Sequence, residues 1–301
     1  MRGQALLIAL NDGDDASALI EIDLDGCGLQ TVPDVIAQAT QARTLSLYNN
    51  QLTSLPDWLW NLSHLVTLNL AANRLTTIPA DIGKLARLRM LDLGHNQLAM
   101  LPDALDELRE LRFLYASNNR LDELPTSLRH LGYLIYLNVT DNALMHVPDW
   151  IGELSSLVEL RLYNNRLTRL PEALGRLGAL QELHAMNNVL VALPDAIGDL
   201  VNLRKLVLQG NALAALPESI GHLAQLTDLD LRFNALTALP ETIGNLTRLR
   251  FLDLRANKLT ALPASIAELP NLEKLDLRWN SFAEWPSWLE TLEVRGCVVY
   301  A

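Results

Sequence analysis

Hydrophobic residues recur along almost the whole chain in one repeated pattern. In residues 65–87, LVTLNLAANRLTTIPADIGKLAR, leucines alternate with other residues in the first half, and an Ile-Pro step and an Ile-Gly pair follow in the second half. Alternation over a few residues predicts a short β-strand with one buried face. Proline at the first position of the second half favours a short helix or 3₁₀ turn. Each unit therefore predicts one strand and one return segment.

The pattern has a period of 23 residues without an insertion. Proline keeps this period from Pro33 to Pro286, and twelve units cover residues 19–294. Because a unit can bury its leucines only against its neighbours, the units are expected to stack. One position of the unit carries asparagine eleven times, at Asn50, Asn73, Asn96, Asn119, Asn142, Asn165, Asn188, Asn211, Asn234, Asn257 and Asn280. A buried amide can bond backbone groups where the chain leaves each strand, so we expect these asparagines to be structural.

The unit LxxLxLxxNxLxxLPxxIGxLxx resembles the leucine-rich repeat, and its LPxxIGxL half is similar to the intracellular Ras-group type found in animal, plant and bacterial proteins. The resemblance implies an α/β solenoid, a curved horseshoe with a parallel concave β-sheet and short helical or 3₁₀ convex segments. We expect one continuous domain with an N-terminal cap over residues 1–18, twelve repeats over residues 19–294 and the end of a C-terminal cap over residues 295–301.

Charge and cysteine usage narrow the possible partners and compartments. The net charge is −11, which disfavours nucleic acid and anionic membranes as partners. The apolar run at residues 5–10 is too short for a secretory signal, and acidic residues follow it closely. Cys27 and Cys297 lie near opposite ends of the repeat array, too far apart to form a disulfide, and the paired-cysteine caps of extracellular relatives are missing. We therefore expect a cytoplasmic protein, and we expect it to be a monomer.

Residues that flank the strand leucines are expected to project from the concave surface. In the middle of the array this surface gathers aromatic, arginine, histidine and methionine side chains, and of these the aromatic, arginine and methionine residues are enriched at binding hot spots. The predicted protein-binding residues are Phe113, Tyr115, Tyr136, Arg161, Tyr163, His184 and Met186. The alternative is that the aromatic residues pair across strands and serve stability alone.

A second set of outward residues lies in the last repeats. There Asp230, Asp253 and Asp276 stack beside three arginines. The secondary binding candidates are Arg232, Phe233, Arg255, Arg278 and Trp279. One interpretation is a structural ladder of ion pairs, and the other is a charged surface that grips a partner.

No catalytic, cofactor or metal site is expected from the sequence. Only His95 and His184 are placed on the concave surface, and four repeats separate them by about 19 Å, too far to share a metal ion. No phosphate loop, nucleophile elbow or zinc motif is present in the sequence. The repeats also leave too few residues for a catalytic domain.

These observations predict a non-catalytic interaction scaffold that binds a protein or peptide on its concave face. The resemblance implies a role in signalling, including small-GTPase pathways. The alternative is a bacterial effector that is delivered into a host cell and acts by binding host proteins. A more distant alternative is an enzyme, which an activity lost on His184→Ala would support.

Overall fold

The computed structural model describes residues 2–301 and forms two compact units, Met1–Ala143 and Leu144–Ala301. We call them unit 1 and unit 2 and describe each by itself. In each unit the concave face is the side of the sheet that carries the residues flanking the buried strand leucines.

Unit 1 begins with helix α1, Arg2–Asn11, and continues with six three-residue strands joined by 3₁₀ segments. The strands are β1 Glu21–Asp23, β2 Thr44–Ser46, β3 Thr67–Asn69, β4 Met90–Asp92, β5 Phe113–Tyr115 and β6 Tyr136–Asn138. The 3₁₀ segments are Ala16–Ala18, Asp34–Gln38, Asp57–Asn61, Ala80–Lys84, Asp103–Glu107 and Thr126–His130. Neighbouring strands pair in parallel, and a shift of one repeat brings Glu21 opposite Thr44 and Thr44 opposite Thr67.

Unit 2 repeats this arrangement and ends in a short helix and one further strand. Its strands are β7 Glu159–Arg161, β8 Glu182–His184, β9 Lys205–Val207, β10 Asp228–Asp230, β11 Phe251–Asp253, β12 Lys274–Asp276 and β13 Val298–Tyr300. The 3₁₀ segments are Asp149–Glu153, Glu172–Arg176, Asp195–Asp199, Glu218–His222, Glu241–Asn245 and Ala264–Glu268, and helix α2 is Leu289–Val294. All strands pair in parallel, and β13 adds Val298 opposite Lys274 at the edge of β12.

The core of each unit is built from the periodic leucines. The central residue of each strand from β1 to β12, such as Leu45 in unit 1 or Leu206 in unit 2, is buried. Burial of one such side chain contributes about 1.5–3 kcal/mol, so the repeated leucines supply most of the driving force for stacking. The predicted class, a solenoid of parallel strands and short 3₁₀ return segments, is confirmed in each unit.

The asparagine row has the structural role expected from its spacing. The Nδ2 group of Asn73 donates to the carbonyls of Leu47 at 2.9 Å and Leu70 at 3.0 Å, and its Oδ1 accepts from the amide of Leu52 at 3.0 Å. One side chain thus joins two successive repeats. Because a buried polar group without a partner costs about 1–3 kcal/mol, this network favours asparagine over an apolar residue.

The prolines lie one position earlier than expected. Pro79 precedes the first residue of the segment Ala80–Lys84, in an extended conformation with φ −71° and ψ 158°. Its carbonyl accepts from the amide of Ile82 at 3.2 Å and so closes the first turn. The ring therefore acts by fixing φ at the entry to the turn, because the missing N–H lies outside the 3₁₀ segment.

Glycine in the return segments allows neighbouring repeats to approach closely. A Cβ atom on Gly221 would lie 2.4 Å from the carbonyl oxygen of Thr242, and one on Gly198 would lie 2.4 Å from that of Ser219. Since real Cβ atoms do not approach backbone oxygen this closely, only glycine fits between these segments.

The cysteines and the helices provide two further observations. Cys27 and Cys297 both carry free thiols, and burial raises the pKa of the Cys297 thiol. Among the described residues, no helix combines the length and apolar character needed to cross a bilayer.

Candidate functional site

The predicted middle zone is divided between the two units. Phe113, Tyr115 and Tyr136 lie on β5 and β6 of unit 1. The other four candidates belong to β7 and β8 of unit 2 or directly follow these strands; they are Arg161, Tyr163, His184 and Met186.

The three aromatic residues of unit 1, which we call the aromatic cluster, contact one another on the concave face. Phe113 lies opposite Tyr136 in the strand register, with ring centroids 6.4 Å apart. The rings of Tyr115 and Tyr136 are closer, at 4.8 Å, and all three residues are half-buried. Tilted aromatic pairs at these distances contribute about 0.5–1.5 kcal/mol each. The cluster therefore has the contacts that cross-strand stabilisation requires, and it still exposes part of each ring.

Unit 2 carries a cavity of about 580 Å³ on its concave face, which we call the unit 2 pocket. All four candidates of unit 2 line this pocket. The lining residues are Arg161, Tyr163, His184, Met186, Lys205, Val207, Asp228, Leu229, Asp230, Arg232, Phe251, Leu252, Asp253 and Lys274.

The position of the pocket follows from side-chain size. Val207 of β9 occupies the strand position at which β7, β8 and β10 carry Arg161, His184 and Asp230. Because the side chain of valine is shorter than those of arginine and histidine on the preceding strands, the surface is depressed at β9. Val207 is half-buried and forms an apolar floor with Met186 and Phe251, while charged residues form the walls.

Two lysines of the pocket have no ion-pair partner among the described residues. Lys205 of β9 lies beside Glu182 and Asp228 in the strand register without a salt bridge to either. Lys274 of β12 places its ammonium 5.2 Å from the ring centroid of Tyr300. The pocket therefore offers two ammonium groups that an acidic ligand could bind.

The secondary candidates on β10 to β12 form ion pairs within unit 2. Arg255 binds Asp253 at 2.6 Å, and Arg278 binds Asp276 at 2.6 Å. The Nε atom of Arg255 also lies 3.3 Å from Asp276. We call these residues, together with Asp230 and Arg232 at 3.1 Å, the ion-pair ladder. Each arginine of the ladder pairs with an aspartate of the same chain, and such pairs are what the interpretation as a structural ladder of ion pairs predicts.

The first and last carboxylates of the ladder differ in their electrostatics. Burial would by itself raise the pKa of the fully buried Asp276, but hydrogen bonds from Arg278 and the charges of Arg255 and Arg278 outweigh it and lower that pKa. At Asp230, burial dominates and raises the pKa, and the charge of Asp253 adds to the effect although Arg232 opposes it. The ladder therefore stabilises an ionised Asp276 and does not stabilise an ionised Asp230.

Phe233 and Trp279 lie next to the ladder and are the most exposed of the candidates, at 51% and 66%. Their ring centroids are 6.3 Å apart. Both backbones are left-handed, with φ 55° at Phe233 and 61° at Trp279. This conformation is disfavoured for bulky residues, and other repeats carry asparagine at the same position, as at Asn164 and Asn187.

Several residues in and beside the pocket were not candidates in the sequence analysis: Lys205 and Lys274 line it, and Glu159 and Glu182 lie beside His184. Glu159 and Glu182 lie against the imidazole of His184 and are neighbours in the strand register. Together with Lys205 and Lys274 they occupy the position before the first strand leucine, a column that the sequence analysis did not follow from repeat to repeat. The signal that could have found these residues is the run of charged residues at this position in successive repeats.

Comparison with known families and structures assigns the repeat. The family model for a leucine-rich repeat region matches residues 80–195 and 192–293, and the model for a leucine rich repeat matches residues 17–75. A search among curated proteins found no match.

Solved structures are similar over nearly the whole chain. A leucine-rich repeat protein of Leptospira interrogans is 28% identical, with 98% of both chains covered and a TM-score of 0.52. An internalin of Listeria monocytogenes has the same fold, with 20% identity, 99% of this chain and 94% of that chain covered, and a TM-score of 0.76. The plant peptide hormone receptor RGFR1 in complex with RGF2 is 26% identical, and 88% of this chain matches 52% of the receptor with a TM-score of 0.68.

The leucine-rich repeat fold commonly mediates binding of proteins or peptides. The family models together match most of the 301 residues, and the strands recur at the spacing of the repeat. The chain therefore belongs to the leucine-rich repeat family.

Proposed function

We propose that this protein is a non-catalytic interaction module and that the unit 2 pocket binds an extended peptide segment of a partner protein. The observation that carries the proposal is the cavity of about 580 Å³ with an apolar floor at Val207. This volume falls within the range of about 300–1,000 Å³ that is usual for ligand pockets.

The charges of the pocket favour an acidic peptide. Lys205 and Lys274 lie on strands three steps apart, which corresponds to about 14 Å at the usual strand spacing. An extended peptide advances about 3.4 Å per residue, so acidic side chains about four residues apart would reach both ammonium groups. An apolar side chain between them would contact Val207. The similar plant peptide hormone receptor RGFR1, whose structure was solved in complex with RGF2, supports a peptide as the class of ligand.

The rigidity of the sheet contributes to binding. The strand residues under the pocket, such as Leu206 and Leu229, are buried in the leucine core. Side chains that are already held in place lose little conformational entropy when a ligand binds.

The proposal is tested with a phage-displayed library of random linear peptides. Wild-type protein is expected to enrich peptides that contain aspartate or glutamate near an apolar residue. Val207→Trp fills the pocket, so it is expected to lose these peptides while the fold, checked by circular dichroism, is retained. Asn69→Trp on β3 is the matched control, because Asn69 occupies the same repeat position on unit 1 and should leave binding unchanged.

Enriched peptides that bind Val207→Trp as tightly as wild type would overturn the assignment to this pocket. If Tyr115→Ala and Tyr136→Ala lost binding instead, the aromatic cluster would be the binding surface. Enrichment of basic peptides would contradict the role of Lys205 and Lys274.

A role in signalling, action as an effector in a host cell, a cytoplasmic location and a monomeric state stay predictions from the sequence. Each concerns the partner or the cell rather than the pocket.

A further inference from the structure

We propose that Glu159, Glu182 and His184 form a binding site for a divalent transition-metal ion of the zinc class beside the unit 2 pocket, which His184 lines. The three side chains offer one imidazole nitrogen and two carboxylates, and their ligand atoms all lie within 4.8 Å of one another. The inference is independent of peptide binding, because the ion alone is the ligand.

The strand register brings the three ligands together. β7 and β8 pair so that Glu159 lies opposite Glu182, and His184 follows two residues later on the same face. Residues two apart on a strand share a face, and adjacent strands are about 4.8 Å apart. Three potential ligands therefore converge from two consecutive repeats without any loop.

The distances suit one small ion. The Nε2 atom of His184 lies 2.9 Å from Oε2 of Glu182 and 3.9 Å from Oε1 of Glu159. Zinc binds nitrogen and oxygen ligands at about 2.0–2.2 Å in a tetrahedron, which places the ligand atoms about 3.4 Å apart. The observed separations lie on either side of this value, so a modest rotation of the glutamate side chains produces the coordination geometry.

The histidine is held in place before an ion arrives. The side chain of His184 is only 10% exposed, and its neighbours Leu183 and Ala185 are fully buried in the core. Imidazole is the ligand that distinguishes transition metals from calcium and magnesium, which prefer oxygen ligands alone. The set of one imidazole and two carboxylates therefore favours zinc-class ions.

Arg161 acts as a positioning residue for Glu159. Its Nε atom donates to Oε1 of Glu159 at 2.5 Å and so directs that carboxylate towards His184. Carboxylates that bind metals are usually hydrogen-bonded in turn by neighbouring residues. The positive charge of Arg161 opposes the ion but does not cancel the two carboxylates, so the cluster retains net negative charge when His184 is neutral.

Three protein ligands leave a fourth coordination position open. His184 also lines the unit 2 pocket, so the open position is adjacent to the cavity. Zinc sites with three protein ligands keep such a position for water or for an incoming ligand.

The test is titration of the full chain, freed of metal with a chelator, with zinc chloride in an isothermal calorimeter. Wild type is expected to bind one equivalent per chain, and Glu182→Gln and His184→Ala are each expected to weaken binding by about 10-fold or more. A second readout is cobalt, whose visible absorption spectrum reports tetrahedral coordination. His95→Ala in unit 1 is the control, since it removes an exposed histidine and should leave zinc binding unchanged.

Unchanged zinc affinity in both Glu182→Gln and His184→Ala would overturn the site, and so would the failure of wild type to bind zinc. Thermal unfolding of the metal-free variants shows that they are folded. The site also predicts that, at the same zinc concentration, zinc raises the melting temperature of wild type more than that of Glu182→Gln, because a ligand that binds only the folded state stabilises it less when its affinity is lower. Retained peptide binding in Val207→Trp would overturn the peptide proposal and leave the zinc result unchanged, so the two proposals fail separately.

Discussion

The aromatic cluster of unit 1 and the unit 2 pocket occupy equivalent positions of the same repeat, yet one is filled and the other is open. In unit 1 the rings of Tyr115 and Tyr136 lie 4.8 Å apart on the adjacent strands β5 and β6. In unit 2 the short side chain of Val207 leaves a cavity of about 580 Å³ between charged walls. Large outward side chains that contact each other, such as Tyr115 and Tyr136, leave no cavity between them. A short side chain between longer ones, such as Val207, leaves a cavity.

The largest expected effect concerns the ion-pair ladder of unit 2. We expect Asp276→Asn to lower the free energy of unfolding by about 3–5 kcal/mol, because it removes a buried carboxylate that holds both Arg255 and Arg278. Asp230→Asn is the matched control, and its expected loss is under about 1 kcal/mol because burial opposes the ionised form there. Urea denaturation of the two variants measures the difference. Equal losses of stability in the two variants would show that Asp230 and Asp276 contribute equally to folding.

The same pair predicts a pH dependence. The pKa of Asp276 is lower in the folded than in the unfolded protein, so its contribution is present above an unfolded pKa of about 3.9 and is lost as the pH falls through the folded value. The pKa of Asp230 is raised, so its ionisation opposes folding at neutral pH and not in acid. Asp276→Asn should therefore flatten the acid limb of the stability curve below about pH 4, and Asp230→Asn should not.

Substitutions in the aromatic cluster and at the floor of the unit 2 pocket are expected to differ in their effect on stability. Tyr136→Ala removes ring contacts with both Phe113 and Tyr115, so it should destabilise the protein by about 1–3 kcal/mol. Val207→Ala at the pocket floor should cost under about 1 kcal/mol, because that side chain already faces a cavity. Thermal unfolding of the two variants checks the contrast. A larger loss at Val207 would mean that the pocket floor supports the core.

The smallest expected effect concerns the exposed rings beside the ladder. Trp279→Asn should raise the free energy of unfolding by up to about 1 kcal/mol, since asparagine tolerates the left-handed backbone that tryptophan strains. The reverse substitution, Asn187→Trp, places tryptophan at the same repeat position and should lower stability by a similar amount. Denaturation midpoints of both variants measure the change. A gain in stability at Trp279 together with weaker partner binding would identify this ring as a functional residue retained at the expense of stability.

Much of the fold was predictable from local pattern. Asn73 and its counterparts could be assigned a structural role because the period of 23 residues places each of these eleven asparagines at the same turn of its repeat. The strand at Leu68 and the return segment after Pro79 follow from the same period, and only the position of proline relative to the 3₁₀ turn was wrong by one residue.

The candidate sites were only partly predictable. The sequence placed Tyr115, Tyr136 and Tyr163 in one zone, but in the structure Tyr115 and Tyr136 contact each other while Tyr163 lines the unit 2 pocket. It assigned His184 to the concave face correctly, and missed Glu159 and Glu182 beside it. Repeat position predicts the face on which a residue lies, but it does not predict which rotamers meet across adjacent strands.

The amino-acid sequence by itself determined the repeat frame, the buried leucines, the asparagine network and the set of residues that project outward. These follow from the period, because each repeat experiences the same neighbours and must bury the same positions. Only the tertiary structure decided that Val207 lies at the floor of a cavity, that Asp276 is fully buried between two arginines and that Glu159 and Glu182 converge on His184. The reason is that these features depend on the size, charge and rotamer of side chains 23 residues apart, which become neighbours only when the strands pair.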